Sequence, residues 1–162
     1  MYSNFLDLRN IKGISDYQFG QLITDVLFED ENSIRVEYSK NTNKVKYIYE
    51  NKDLLLSFKP TNGFFTISLY AAQKIVAHTD MPLRRAVVLS EISEFIKKGR
   101  NVFCKHVIDI DPCLRALDEV IVVNEEDEVL AVGRLMIPVP YIKTFNTGVA
   151  IKVRKGTNKS KL

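Results

Sequence analysis

Residues 118–156 read DEVIVVNEEDEVLAVGRLMIPVPYIKTFNTGVAIKVRKG, and the patterns in this stretch decide the fold of the second half of the chain. Two apolar runs, Asp118–Val123 and Val129–Leu135, flank an acidic turn, which is typical of a β-hairpin. A short helix is predicted over Pro138–Asn146, and Val149–Val153 is predicted as a final strand. The order of hairpin, short helix and strand indicates a small domain dominated by β-structure.

The segment before this hairpin contains one helix between two strands. Arg84–Leu89 is predicted as a strand, and the helix that follows begins at Ser90 or at Ser93, because serine is a favourable N-cap. The helix is predicted to end at Gly99, since lysines in the last turn complement the helix dipole and glycine is favoured just past the end. Asn101–Asp109 is predicted as the next strand.

The first half of the chain predicts a separate small α+β unit. An amphipathic helix over Asp16–Phe28, with Ser15 or Asp16 as its N-cap, comes first, and a helix over Tyr70–His78 comes last. Thr79–Pro82 is predicted as the domain boundary, because it is short and polar and its proline ends the preceding helix. Four strands are predicted between the helices, at Ile34–Ser39, Val45–Tyr49, Leu54–Phe58 and Phe64–Leu69.

The composition bounds the class of protein. With 162 residues, of which 46% are hydrophobic and 27% charged, the chain is predicted to form one globular domain or two small ones. It has no apolar run of the ~20 residues that a membrane-spanning helix needs, and its N-terminus lacks the pattern of a secretory signal. Two cysteines and two histidines, without a CxxC pair, predict no disulfide scaffold and no structural metal. We therefore expect no cofactor, no membrane association and a cytoplasmic location.

The charge is distributed unevenly between the two halves. Up to Asp80 the chain has 9 Lys and Arg against 10 Asp and Glu, whereas from Met81 onward it has 14 against 10. The second half therefore carries the positive charge of the protein. A basic bias of this kind favours a polyanionic partner for that half.

The first candidate binding site is Lys97-Lys98-Gly99-Arg100, with Lys105 in the strand that follows. Glycine lets the backbone approach a partner closely and turn its N–H groups toward an anion. Arginine grips a phosphate through two parallel hydrogen bonds. On the pattern alone, an ordinary helix end with lysines that complement the dipole is the simpler interpretation.

The second candidate is Arg154-Lys155 at the end of the last strand. In a closed barrel the last strand lies near the first helix, so these charges would join the cluster around Gly99. On the pattern alone, a solvated strand end is the simpler interpretation. Gly133, inside a predicted strand, indicates a β-bulge or the close approach of another backbone, and packing is the favoured explanation.

No catalytic or metal-binding residues are predicted. Cys104 and His106 lie two residues apart in a predicted strand and share a face with core positions, so they are not expected to act as a nucleophile and its base. The four carboxylates Glu125–Glu128 crowd a hairpin turn and are expected to be solvated. Glycine patterns of phosphate loops and dinucleotide sites are missing.

The second half of the chain resembles a PUA domain over residues 83–156. The resemblance lies in SEISEFIKKGRNVFCKHVIDIDP (Ser90–Pro112), in DEVIVVNEEDEVLAVGRL (Asp118–Leu135) and in FNTGVAIKVRKG (Phe145–Gly156). The stretch Asp16–Ile75 is similar to the domain that precedes the PUA domain in archaeal archaeosine tRNA-guanine transglycosylases. The whole chain thus resembles the C-terminal part of that family, without its catalytic barrel.

The resemblance implies an α+β protein. A small α+β domain over residues 1–80 precedes a mixed β pseudo-barrel with short helices, the PUA domain, over residues 82–156, and a basic tail follows over residues 157–162. PUA domains bind structured RNA, so the resemblance implies an RNA partner, and specifically tRNA in the context of archaeosine-type modification. The implied RNA-binding residues are those of the loop after the first helix and of the neighbouring strand ends: Lys97, Lys98, Gly99, Arg100, Lys105, Arg154 and Lys155.

The chain departs from the transglycosylase family in one respect, because an α/β barrel typically takes ~250 residues. These 162 residues have no room for it, so we expect a protein that is not an enzyme by itself. It either binds RNA alone or supplies an RNA-binding part to a separate catalytic subunit. The alternative is a protein–protein adaptor whose first domain docks the catalytic partner, and a small hydrolase or metalloenzyme is disfavoured. No feature of the sequence selects an oligomeric state.

Overall fold

The structure is a computed structural model that describes residues 2–158, with side chains from residue 5 onward. It divides into two compact units, and the division falls between His78 and Thr79. The first unit is a four-stranded sheet with three helices, and the second is a six-stranded sheet with two short helices.

The first unit begins with two helices, where the sequence pattern predicts one. Helix α1 spans Tyr2–Phe19 and helix α2 spans Gln21–Leu27. Gly20 separates them with a φ of 91°, in the left-handed region that favours glycine. The predicted single helix over Asp16–Phe28 is therefore wrong, since it crosses this break and misses most of α1.

The two predicted N-caps lie inside α1, and only Ser15 bonds across the break through its side chain. The Ser15 and Thr24 hydroxyls are 2.7 Å apart and both residues are buried. The Asp16 carbonyl accepts the Gly20 N–H at 3.0 Å. The Ser15 hydroxyl thus links α1 to α2. Serine is equally common at the start of a helix, so the residue type alone does not tell the two positions apart.

The sheet of the first unit follows the predicted strands closely. Its order is β1-β2-β3-β4 and every pair is antiparallel. The predicted final helix is confirmed as α3, Leu69–His78. The four predicted strands are confirmed as β1 at Ile34–Tyr38, β2 at Val45–Glu50, β3 at Asp53–Lys59 and β4 at Phe64–Ile67.

A buried ionic contact ties α3 to the sheet. The Lys74 ammonium donates to one Glu50 carboxylate oxygen at 2.7 Å and the Tyr70 hydroxyl donates to the other at 2.6 Å. Burial raises the pKa of Glu50, but the hydrogen bonds from Lys74 and Tyr70 outweigh it and leave the pKa below its usual value. The positive charge of Lys74 is therefore already paired within the first unit.

The second unit is a mixed sheet that curls into a pseudo-barrel, as predicted. The strands are β5 at Arg85–Val88, β6 at Val102–Phe103, β7 at Val107–Ile110, β8 at Glu119–Val123, β9 at Val129–Leu135 and β10 at Val149–Gly156, with helices α4 at Ser93–Lys97 and α5 at Val139–Ile142. Their order in the sheet is β6-β10-β9-β8-β5-β7, in which β5 and β8 are parallel and the other pairs are antiparallel. The α+β class is therefore confirmed.

The predicted strand Asn101–Asp109 is wrong as one element. A 3-10 turn at Cys104–His106 divides it into β6 and β7. These two strands lie at opposite ends of the sheet order, so the chain must turn between them. Alternation of apolar residues continues through the turn, and for this reason the sequence pattern does not reveal it.

The acidic hairpin turn is exposed at Glu125, Glu126 and Glu128, as expected, but Asp127 is half-buried and the turn also bonds to the rest of the unit. Arg85 is fully buried, and its guanidinium donates to Asp127 at 2.8 Å. The same guanidinium donates to backbone carbonyls of Thr79 and Leu83, at 2.9 and 3.0 Å. Ser90, a predicted helix cap, also bonds to this turn, because its N–H donates to Glu125 at 3.1 Å.

Candidate nucleic-acid interface

Pairing of β6 with β10 joins two stretches of chain that lack acidic residues. Residues 97–108 and 136–158 contain no Asp and no Glu. The register places Phe103 opposite Val149 and Val102 opposite Ile151, so the two stretches run side by side. We call these residues the basic ribbon; they carry eight cationic side chains, Lys97, Lys98, Arg100, Lys105, Lys143, Lys152, Arg154 and Lys155.

One end of the basic ribbon is the loop after α4. Gly99 has a φ of 96°, and its N–H donates to the carbonyl of Ile96 at 2.9 Å. The Arg100 N–H donates to the carbonyl of Phe95 at 3.2 Å. These bonds close the helix end as predicted and turn Lys98 and Arg100 out of the last helical turn.

The end of β10 is pressed against this loop. A Cβ on Gly156 would stand 2.1 Å from the carbonyl oxygen of Lys97 and 2.8 Å from the nitrogen of Gly99. The Asn158 N–H donates to the same Lys97 carbonyl at 2.9 Å. The absence of a side chain at Gly156 is therefore what brings Lys155 beside the loop. Residues 159–162 of the predicted basic tail lie outside the described residues.

Arg154 differs from its neighbour Lys155, because its charge already has a protein partner. Its guanidinium lies 2.7 Å from a carboxylate oxygen of Glu119, which is 7% exposed. A bulge in β10 between Val153 and Lys155 leaves Arg154 as the extra residue of that strand. Gly133 accommodates the bulged strand, since a Cβ there would meet the Lys152 carbonyl oxygen at 2.4 Å. The predicted close approach at Gly133 is thus confirmed.

Lys105 lies at the other end of the basic ribbon. It sits in the 3-10 turn after β6, where the Cys104 N–H donates to the carbonyl of Gly148 at 3.1 Å. Gly148 precedes β10 and Gly156 ends it, and eight strand residues span roughly 25 Å. The structure therefore brings together six of the seven predicted site residues and places Lys105 apart from them.

The basic side chains differ in how far the protein engages them. Within the described part of the chain, Lys98, Arg100, Lys105 and Lys155 form no ion pair, and Lys97 has only an exposed contact with Glu94 at 3.4 Å. Asn101 is a further polar residue of this site that the sequence pattern did not indicate. Its side-chain oxygen accepts the Val153 N–H at 3.0 Å and so links the loop to β10. Lysines and an arginine that have no ion pair in the described chain can contact phosphate oxygens through their side chains.

The sequence reasoning also missed two aromatic residues on the ribbon. Tyr141 and Phe145 are half exposed and their rings stack on each other, with centroids 6.0 Å apart. Their spacing of four residues within an acid-free stretch is the signal that was available.

Other chemistries find little support in the described residues. Cys104 is buried, and burial raises the pKa of its thiol, which disfavours the nucleophilic thiolate. Residues 2–158 contain no group of three or more His, Cys, Asp or Glu side chains arranged to hold a metal ion. Within the same range, no helix has both the length and the apolar character required to cross a bilayer.

Both units match known domain families. Residues 84–157 match the family model of the PUA domain, and residues 9–82 match that of the patch-forming domain C2 of tRNA-guanine transglycosylase. The second unit is therefore a PUA domain. The two domains match, in the same order, the C-terminal region of archaeal tRNA-guanine transglycosylases.

Individual relatives agree with this assignment. The tRNA-guanine(15) transglycosylase of Methanobrevibacter smithii is 40% identical over 153 residues, which are 94% of this chain and 23% of that enzyme. A hypothetical protein from Pyrococcus horikoshii has a similar structure, with a TM-score of 0.75, 23% identity, and coverage of 95% of this chain and 92% of that one. A conserved PUA-domain protein from Thermoplasma acidophilum has a TM-score of 0.65, 13% identity, and coverage of 97% and 92%. The chain spans less than a quarter of the curated relative's length.

Proposed function

We propose that the chain binds structured RNA, and specifically tRNA, through the basic ribbon and serves tRNA modification of the archaeosine type without catalysing it alone. The observation that carries this proposal is the contact between Gly156 and the Lys97–Gly99 loop, because it brings Lys155 beside Lys98 and Arg100, none of which has an ion pair in the described chain. The PUA match and the transglycosylase relatives give the same direction.

In this proposal, Lys97, Lys98, Arg100 and Lys155 contact phosphates, and the Gly99 turn allows the RNA backbone to come close. Lys105 extends the contact along the ribbon. Arg154 contributes less, since Glu119 neutralises its charge at 2.7 Å. Affinity then comes mainly from phosphate contacts and selectivity from RNA shape, as is usual for proteins that bind folded RNA.

The test is binding of the purified chain to tRNA, and to the same tRNA without its 3′ end, across a salt series. Each phosphate contact contributes a slope of roughly −0.7 to −0.9 in log affinity against log salt. We expect Lys98→Glu with Arg100→Glu to weaken binding about tenfold or more and to reduce the slope by about 2. Weaker binding to the shortened tRNA would place the acceptor end on this domain.

The matched control is Lys40→Glu with Lys44→Glu, which reverses two exposed charges in the β1–β2 turn of the first unit. It changes the net charge by the same amount. Equal losses of tRNA affinity in the two double variants would therefore mean that only the overall charge of the protein matters. An unchanged affinity for the Lys98 and Arg100 variant, with circular dichroism intact, would remove this loop from the site.

A second candidate role is that of an accessory subunit. The comparison with the transglycosylase of Methanobrevibacter smithii favours this role, because the chain matches only 23% of that enzyme. The rest of the enzyme's length has no counterpart in these 162 residues. We expect the chain to lower the KM for tRNA of a transglycosylase truncated of this region, with little change in kcat. Transglycosylation by the purified chain alone would contradict both roles.

A further inference from the structure

Strand β1 is the open edge of the sheet in the first unit. The opposite edge strand, β4, is capped, because the Gln18 side chain donates to the Phe65 carbonyl and accepts the Phe65 N–H, both at 2.8 Å. Within residues 2–158, β1 pairs only with β2 and has no such cap. A strand edge with unpaired backbone groups can pair with a strand of another chain.

The register of β1 shows which of its backbone groups face outward. The Ser33 carbonyl accepts the Asn51 N–H at 2.8 Å, and antiparallel strands exchange bonds through every second residue. Ile34, Val36 and Tyr38 therefore direct their backbone groups to the open side of the strand. Apart from the Ile34 N–H, these groups have no backbone partner in the described part of the chain.

Apolar side chains next to this edge are incompletely covered. Ile34 and Val36 are half-buried and, together with Leu8 of α1, line an open groove beside β1. Phe5 and Leu6, within one helical turn of Leu8, are 67% and 58% exposed. A strand added at the edge would remove apolar area of the groove from water, which favours association.

The exposed charges of β1 select the partner. Arg35 and Glu37 lie on either side of Val36, and their side chains remain 58% and 47% exposed although their charged atoms are 3.8 Å apart within the chain. When two copies of β1 pair antiparallel with Val36 opposite Val36, each Arg35 lies opposite the Glu37 of the other copy. Opposite charges at facing positions stabilise an antiparallel pair. The edge is thus complementary to itself, as a two-fold symmetric interface requires.

The backbone agrees with this register. The N–H and carbonyl of Val36 would exchange bonds across the two-fold axis, and each Tyr38 N–H would reach the Ile34 carbonyl of the other copy. The Ile34 N–H is already bonded to the carbonyl of Glu31. The irregular residue near the end of β1 is Lys46 of β2, so β1 itself stays regular. We propose that two copies of the chain form a dimer through β1, which joins their first sheets into one continuous sheet.

The experiment is sedimentation velocity of the purified chain over a concentration series. We expect a reversible monomer–dimer equilibrium with a dissociation constant of about 1–100 μM, because one short strand pair is a small interface. Arg35→Glu is expected to weaken the dimer about tenfold or more, since like charges then face each other at both symmetric positions. Glu37→Arg is expected to weaken it by the same mechanism.

A mixture of the two single variants gives the sharpest test. Arg35→Glu chain mixed with Glu37→Arg chain is expected to form a heterodimer about as stable as the wild-type dimer, because each facing pair again has opposite charges. The chain with both substitutions is expected to dimerise like the wild type. Lys59→Glu is the control, since it reverses one exposed charge at the end of β3, away from the edge, and is expected to leave the dimer unchanged.

Backbone probes identify the interface itself. Val36→Pro removes an outward N–H and no bond to β2, so it is expected to abolish the dimer while circular dichroism is retained. In the wild-type chain, the Val36 and Tyr38 amides are expected to be protected from hydrogen exchange at high concentration and to exchange rapidly after dilution.

Two results would overturn the proposal. One is a chain that stays monomeric up to about 500 μM, which would leave the edge open to a strand of a different protein. The other is a dimer that neither Arg35→Glu nor Val36→Pro weakens, because its interface would then lie elsewhere. Both results would leave the proposed RNA binding standing, since that rests on the basic ribbon of the second unit.

Discussion

Two parts of the second unit carry opposite charge and use it differently. The basic ribbon, residues 97–108 and 136–158, has eight Lys and Arg and no acid, whereas residues 109–135 have eight Asp and Glu and two Arg. The net charge of the unit conceals this division, because the two parts largely cancel. The sheet therefore separates a cationic surface from an anionic stretch within one small domain.

Carboxylates of the acidic stretch bond to other residues of the second unit. Asp127 pairs with the buried Arg85, and Glu119 pairs with Arg154. Asp111 accepts the Arg84 N–H at 2.7 Å, and burial lowers the pKa of the Arg84 guanidinium, which nearby carboxylates partly offset. These carboxylates stabilise the barrel and offer little to an outside partner.

The ribbon lysines have no such commitments in the described chain, with Lys97 and its exposed Glu94 contact as the exception. A charge with a buried partner has already lost its hydration, whereas an exposed unpaired lysine keeps its full charge for a ligand. The comparison shows that the count of positive residues matters less for binding than which of them the fold has already paired.

The largest expected effect is on the acidic side, at Arg85. Arg85→Met keeps the apolar volume but leaves Asp127 and the backbone carbonyls of Thr79 and Leu83 without their donor. We expect the second unit to lose about 3–5 kcal/mol of stability. Amide hydrogen exchange in β5 and β8 measures this loss locally, which matters because a two-domain chain need not unfold in a single step.

The control for this change is Arg115→Met, at an exposed arginine within the acidic stretch, residues 109–135. This substitution should shift the free energy of unfolding by less than about 0.5 kcal/mol. Similar exchange rates for both methionine variants would show that the acidic stretch does not hold the barrel together. The contrast between the two parts of the sheet would then fail.

The sequence predicted the elements of this fold where local patterns are complete. Every strand of the first sheet and the β8–β9 hairpin follow from alternation and turn residues. The break at Gly20 and the turn at Cys104–His106 did not, because the flanking residues keep a regular pattern through them. Helix propensity and alternation are local, whereas the Cys104 turn is bonded to the distant Gly148 carbonyl.

The candidate site was predictable in composition but not in geometry. The residues around Gly99 follow from helix-end signals and from the PUA resemblance. The pairing of Glu119 with Arg154 and the burial of Arg85 both arise from contacts between residues far apart in the chain. Whether a charged residue forms an ion pair depends on residues of other strands, as the pairing of Arg154 with Glu119 shows. The sequence alone therefore gives no reason to treat Arg154 and Lys155 differently.

The next largest effect is expected at the seam where the ribbon closes on α4. Gly156→Ala would place a Cβ against backbone atoms of Lys97 and Gly99, which cannot rotate away. The loop must shift, and we expect a loss of about 1–3 kcal/mol in stability together with weaker tRNA binding. Gly13→Ala is the matched control, because nothing lies within 4 Å of a Cβ there and alanine favours the helix. Gly156→Ala with wild-type stability and affinity would show that the seam does not position the loop.

The smallest and sharpest test compares two neighbours on β10. Arg154→Gln and Lys155→Gln remove the same charge, but only Arg154 is paired with a buried carboxylate. Arg154→Gln is expected to cost roughly 1–2 kcal/mol of stability, since Glu119 keeps its charge and loses a charged donor. Lys155→Gln is expected to leave stability unchanged, to lower tRNA affinity a few-fold, and to reduce the salt slope by about 1.

Thermal unfolding and the salt series, measured on both glutamine variants, give two readouts for each. Opposite profiles support the division between paired and available charge. Equal losses of tRNA affinity would mean that Arg154 leaves Glu119 when RNA binds, because a guanidinium held at 2.7 Å from a carboxylate cannot serve a phosphate equally well. Equal losses of stability would mean that Lys155 is also part of the structural network, and the pairing state seen in the sheet would no longer separate the two roles.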